Sequence, residues 1–210
     1  MSILSKIGIN GDKQFIASIG SSAMVGKTTV MVVLATELVK EGKSVLFVSD
    51  DRSAHILRKA SNFMDAKKTS KFVVIGNFSN RWYTLNSLVE GREFDYVFLD
   101  SFIFNDNDKF LETINFVKSQ KFSTFVSVQL KRTIEPILNV QSMDSNVVSQ
   151  KVDYMFVLTK KEMLNFFDKL KYWIRFAKVP NFNLNLIKAR YGKSTKFDFH
   201  IDFTKLDKNR

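Results

Sequence analysis

The sequence contains no cysteine, which excludes disulfide cross-links, thiolate zinc sites, iron–sulfur clusters and cysteine nucleophiles. Histidine is scarce: His55 and His200 are the only two, too few for an imidazole-based metal centre, so any metal is expected to be held by oxygen. Two prolines and eight glycines in 210 residues leave no linker-like or low-complexity stretch, and no internal repeat is visible. No run approaches the roughly 18 uncharged apolar residues of a membrane span. Met1 to Gly11 lacks an apolar core of signal-peptide length. A soluble, intracellular protein with no membrane partner is expected.

What is present is a core. Residues are 45% hydrophobic, 13% aromatic and 25% charged, which suits one compact domain and excludes disorder over most of the length. Thirty-two Lys and Arg against 21 Asp and Glu give a net charge of +11 and a pI near 9.7. Such a balance favours a polyanionic partner, nucleic acid ahead of a membrane surface. The competing reading is that the lysines only solvate the surface.

Short apolar runs alternate with helical periodicities. Gln14 to Ile19 reads as a strand, and Lys27 to Lys40 as a helix with Val30, Val33, Leu34 and Leu38 at helical spacing, closed by Gly42. Ser44 to Ser49 reads as a buried strand, Arg52 to Met64 as a helix with His55, Ile56, Lys59 and Phe63 at helical intervals, and Phe72 to Ile75 as a strand. Trp82 to Glu90 and Asp108 to Ser119 read as helices, and Asp95 to Asp100, Ser123 to Leu130 and Val152 to Leu158 as strands. This alternation predicts an α/β fold with a mostly parallel sheet flanked by helices. A helix over Lys161 to Lys178 is expected next, then a C-terminal antiparallel hairpin of Asn183 to Ala189 and Lys196 to Phe203 turning at Gly192.

Ser21 to Thr28, SSAMVGKT, lies between the first strand and the first helix. A phosphate loop needs consecutive backbone N–H groups around an anion, a helix N-terminus aimed at it, a Lys for the outer phosphate oxygens and a hydroxyl for Mg²⁺. Gly26, Lys27 and Thr28 supply the last parts in order, with Ser21 where the usual spacing starts with Gly. Asp100 ends the strand YVFLD, where a carboxylate would meet the metal's hydration shell; alone it is an ordinary strand-terminal Asp. Asp50 and Asp51 end the strand after the phosphate-loop helix and face the same crevice in a parallel sheet. Either fits a general base, and the alternative is a helix cap.

In order and kind these pieces resemble the RecA-like ATPase core of hexameric replicative helicases of the DnaB type, including bacteriophage versions. The resemblance rests on SSAMVGKTT, VLFVSDD, YVFLDSF, SVQLKR and IKARYG. It implies a P-loop NTPase with ATP and Mg²⁺ as ligands and nucleotide contacts from Ser21, Ser22, Ala23, Met24, Val25, Gly26, Lys27, Thr28 and Thr29. Thr28 and Asp100 would serve the metal. Asp51 falls at the position of the family's catalytic Glu, one methylene shorter, and Gln129 matches its γ-phosphate sensor. Lys188 and Arg190 match the fingers that reach the γ-phosphate bound by a neighbouring subunit; without the resemblance they are two basic residues on a hairpin strand. The segment Thr133 to Gln150 corresponds to the DNA-facing loop, bracketed by Lys131, Arg132 and Lys151 as nucleic-acid contacts.

The implied function is that of an ATP-hydrolysing, helicase-like motor on single-stranded DNA in replication. It would work as a homo-oligomeric ring, a hexamer in the family's form, or within a larger replication assembly, in the cytoplasm, that of the host if the source is viral. Competing expectations are a short RecA-like recombinase or recombination mediator, and a non-catalytic nucleotide-dependent assembly or loading factor. The whole chain is expected to be one ATPase domain with residues 1–13 as a leader, too short for the family's N-terminal domain and linker helix. Residues 160–178 are expected to form an inserted helix, with Met163, Phe166, Phe167, Leu170, Trp173, Ile174 and Ala177 as its stripe. That stripe suits packing on the sheet or docking in place of the missing linker.

Overall fold

The computed structural model describes residues 2–21, 25–64, 70–77, 82–100, 107–129, 150–160, 182–189 and 195–199. Its elements run α1 (Ile3–Lys6), β1 (Ile16–Ser21), α2 (Lys27–Lys40), β2 (Val45–Ser49), α3 (Ser53–Ser61), β3 (Phe72–Ile75), α4 (Trp82–Val89) and β4 (Tyr96–Asp100). They continue with α5 (Asn107–Ser119), β5 (Ser123–Gln129), β6 (Tyr154–Lys160), β7 (Phe182–Ala189) and β8 (Thr195–Phe199). All strands join one sheet in the order β3-β2-β4-β5-β1-β6-β7-β8. β1 to β6 pair in parallel, and β7 and β8 are antiparallel. The expected α/β architecture with its antiparallel C-terminal pair is therefore present.

Period-2 alternation builds two cores. Ala17 and Ile19 of β1, Val45 and Phe47 of β2, Phe98 of β4 and Phe125 of β5 join α2, α3 and Leu4 of α1 on one face. Ile16, Leu46, Val48, Val97, Leu99 and Val126 join Leu85 and Val89 of α4 and Ile114 and Val117 of α5 on the other. With both faces covered, the inner strands read as continuous apolar runs. Cross-strand register lines up Phe47, Phe98 and Phe125 in one row, with ring centroids 5.7 Å and 4.7 Å apart in stacked pairs.

Several elements differ from expectation. The sequence pattern marks one apolar stripe on α2, yet Thr29, Met31, Val32, Ala35, Thr36 and Val39 are buried as well, because α1 and α3 pack against α2 in addition to the sheet. The stretch expected as a leader contains α1, capped by the Ser2 side chain accepting from the Ser5 amide, and buries Leu4, Ile7 and Ile9 in the α2-side core. Its anchor is remote in sequence: the Ile3 N–H donates to Glu41 Oε1 at 2.6 Å. β1 and β6 each begin and end two residues later than the runs suggest, and the later end carries Ser21 into β1. The expected helix over Lys161 to Lys178, most of the loop from Thr133, the turn at Gly192 and the strand end from His200 to Phe203 lie outside the described residues. Among the described residues no helix is long and apolar enough to cross a membrane.

Candidate functional site

The C-terminal ends of β1, β2, β4 and β5 meet at one edge of the sheet, where a parallel α/β fold gathers its polar termini. β1 ends at Ser21, and Gly26 leads into α2 with φ 108°, a left-handed conformation that disfavours any side chain. α2 then presents its N-terminal amides at this edge, a place suited to an anion. Ser22, Ala23 and Met24 lie outside the described residues. The Lys27 ammonium donates back to the Ser21 carbonyl at 3.3 Å and to Ser21 Oγ at 3.2 Å. Ser21, which stands where a phosphate loop usually starts with Gly, is thus a hydroxyl anchor for the lysine. Burial pushes the Lys27 amine below its ordinary range, and the Asp100 charge works against that fall.

Asp100 is 1% exposed at the end of β4. Register pairs it with Ser49 of β2, whose hydroxyl donates to Asp100 Oδ2 at 3.1 Å. Burial pushes this carboxyl above its usual range; the Thr28, Ser49 and Ser127 hydroxyls oppose the rise through hydrogen bonds, and the Asp51 charge adds to it. Ser49 Oγ also accepts from the Asp51 N–H at 3.1 Å. One hydroxyl thereby links both carboxylate positions. Asp51 and Asp50 are exposed, and burial followed by the charges of Asp100 and Asp51 raises Asp50.

Several other positions follow from register. Gln129 ends β5 directly beside Ser21. Thr29 is buried on α2, while Val25 and Thr28 are half-buried. Lys188 of β7 pairs with Met155, which pairs with Ser18 of β1, so its backbone stands three residues and two strands from Ser21, on the order of 14 Å. Because β7 runs antiparallel, it leaves the sheet at the edge opposite this chain's own phosphate loop. Exposed Lys151, just before β6, lies at that opposite edge too. The sheet does not bring Lys188 or Lys151 to the Lys27–Asp100 cluster. Arg190, Lys131 and Arg132 lie outside the described residues.

Sequence reasoning passed over Lys59 except as a helix-face residue. It is half-buried on α3; burial lowers its amine, whereas the Asp51 and Asp100 charges raise it, so the ammonium belongs to the same electrostatic cluster. A lysine at an inward-facing helical position was the available signal. Ser127 was also missed, since a serine inside an apolar strand looks ordinary until the fold sets it beside Asp100. Among the described residues no three His, Asp or Glu side chains converge on a metal position. A cleft of about 590 Å³ lined by Ser44, Arg92, Phe94, Asp95 and Lys121 opens at the opposite edge of the sheet, away from this cluster.

No protein-family model matches the chain. No curated protein matches it in sequence. In structure it is similar to the solved RadB recombinase, with a TM-score of 0.64 over 96% of this chain and 93% of that one, at 13% sequence identity. That likeness identifies the fold as RecA-like.

Proposed function

We propose that this chain is an ATP-hydrolysing RecA-like motor that acts on single-stranded DNA in replication, in the manner of the DnaB-type helicases, as a ring or filament of its own copies. The observation that carries the reading is the coupling of Lys27, Thr28, Ser49, Asp51 and Asp100 at one sheet edge ahead of the α2 N-terminus.

The donor set fits Mg-ATP. Thr28 and Asp100 offer only oxygen, the donor type taken by a hard cation that keeps waters and arrives with phosphates. When bound, such a cation neutralises phosphate charge during transfer. Lys27 exchanges its Ser21 contacts for phosphate oxygens, and the α2 amides hold the remaining charge. Asp100 holds the Thr28 hydroxyl in place. Asp51 orients the attacking water and takes up its proton. Gln129, next to Ser21, senses the outer phosphate, and Lys188 with Arg190 serves the site of a neighbouring copy. The antiparallel course of β7, away from the chain's own loop, supports that trans role. Lys131, Arg132 and Lys151 contact the DNA backbone.

The similarity to the RadB recombinase along nearly the full length of both chains favours a second reading, a recombinase or mediator on the same core. ATPase assays with and without single-stranded DNA test both. DNA-stimulated hydrolysis with strand displacement supports the motor, stimulation with strand exchange supports the recombinase, and nucleotide binding without turnover leaves an assembly factor. Arg190→Ala subunits mixed with Lys27→Ala subunits should recover part of the ATPase if the finger acts in trans. No recovery in verified mixed assemblies sinks that arrangement.

A further inference from the structure

The segment after β3 touches the backbone that carries Asp51. β3 pairs with β2 up to Val48 and Ile75, and the two chains then leave the sheet side by side. Gly76 packs directly on the turn between β2 and α3. A Cβ on Gly76 would stand 2.5 Å from the Asp51 carbonyl oxygen and 2.7 Å from Ser53 Cα, and would also strike the Ser53 amide nitrogen. These are backbone atoms, which cannot swing aside as a side chain would. Asn77 follows with φ 55°, the only described non-glycine residue at positive φ, and its N–H donates to the Asp51 carbonyl at 3.0 Å. Asparagine is among the few residues that adopt this conformation at small cost.

Asp51 is consequently tied at both backbone polar groups. Its N–H goes to Ser49 Oγ and its C=O to the Asn77 N–H, while its side chain stays exposed. We propose that Gly76 and Asn77 are positioning residues for Asp51, a backbone clamp that sets how far the short aspartate carboxylate reaches toward the attacking water. The proposal rests on the reading of Asp51 as the water-orienting carboxylate. The left-handed backbone at Asn77 has a local purpose on this account.

Gly76→Ala forces a backbone shift of roughly 1 Å, set by the Ser53 amide nitrogen, which lies nearer the added Cβ than the Asp51 carbonyl oxygen or Ser53 Cα and must retreat to the 3.0 Å that Cβ contacts require. Misplacement on the scale of 1 Å costs on the order of 100-fold in rate, so kcat should fall roughly 10- to 100-fold. The KM for ATP and the rise in melting temperature on adding Mg-ATP should both persist. Asp51→Glu in the Gly76→Ala background should restore part of the turnover, because the added methylene regains reach; a general folding defect would not be rescued this way. Asn77→Gly keeps the left-handed conformation and the N–H and should match the parent, whereas Asn77→Val should lower kcat several-fold at unchanged KM. If Gly76→Ala does not fold, the Asn77 pair decides, and equal rates for Asn77→Gly and Asn77→Val overturn the clamp. Parent-like kcat in Gly76→Ala overturns it as well. Asp51→Asn separates the two levels: full turnover there refutes the role of Asp51 itself, while an inactive Asp51→Asn beside fully active Gly76 and Asn77 variants refutes only the clamp. Hydrogen exchange at the Asn77 amide reads the clamp without activity. Slow exchange that quickens in Gly76→Ala supports it, and fast exchange in the parent overturns it.

Discussion

Replacing Asp100 by Asn keeps the shape of the side chain and removes its charge. In the fold this carboxyl is 1% exposed, and its affinity for a proton is raised by burial against the combined pull of the Thr28, Ser49 and Ser127 hydroxyls. Hydroxyls both donate and accept, so they can turn to serve an amide. A raised folded-state pKa means that the native chain holds this proton more tightly than the unfolded chain, so stability falls as pH rises from the ordinary value of 3.8 through the raised one. Asp100→Asn lacks that fall. Near pH 3 both forms are uncharged at this position and the two proteins should melt alike. Toward neutral pH the variant should become the more stable, by about 1.4 kcal/mol for each pKa unit of the shift, or about 3–5 °C per unit in a chain of this length. Melting curves by circular dichroism from pH 3 to 8, without nucleotide, read this directly. The same variant should lose the additional stabilisation that Mg²⁺ brings to ATP binding, giving opposite signs for stability and function. A variant less stable than the parent at pH 7, or a difference that does not change with pH, would refute the account of Asp100 as a charge held in the fold at a cost.

Three further outcomes are expected. Lys27→Ala should abolish the melting shift with Mg-ATP, which for the parent at 100-fold excess over Kd is about 2.7 kcal/mol, measured by thermal denaturation with a titrated nucleotide; an intact shift would remove Ser21 to Thr28 as the phosphate site. Phe98→Ala opens a cavity between the Phe47 and Phe125 rings and should cost about 3–5 kcal/mol in urea unfolding, so a loss under about 1 kcal/mol would mean that the aromatic row collapses around the gap. Oligonucleotide affinity should drop steeply between low and physiological salt, by counterion release from the +11 chain, and weak, salt-insensitive binding would argue against a nucleic-acid partner.

The pieces of the site that depend on local chemistry are legible in the order of residues alone. A Gly-Lys-Thr between an apolar run and a helical period already singles out a candidate anion position. α2 spans Lys27–Lys40 in the fold as in the sequence pattern, because an uninterrupted helical period followed by Gly leaves little choice of boundary. β3 likewise matches its expected span, Phe72–Ile75. The short α1 escapes such a reading, since four residues carry too little periodicity and its support comes from Glu41, 38 residues away.

Local patterning thus suffices to say which stretches become strands and helices, and which residue types can bind phosphate, because periodicity, small residues and charge act over a few neighbours. Strand order is a different matter: buried parallel strands are all apolar and interchangeable as patterns, so only the packed fold selects which of them lie side by side. That order sets Ser49 against Asp100, Gln129 beside Ser21, Lys59 near both carboxylates and Gly76 on the Asp51 turn. Each of these depends on distances between segments remote in the chain, and only packing both faces of one sheet brings them together.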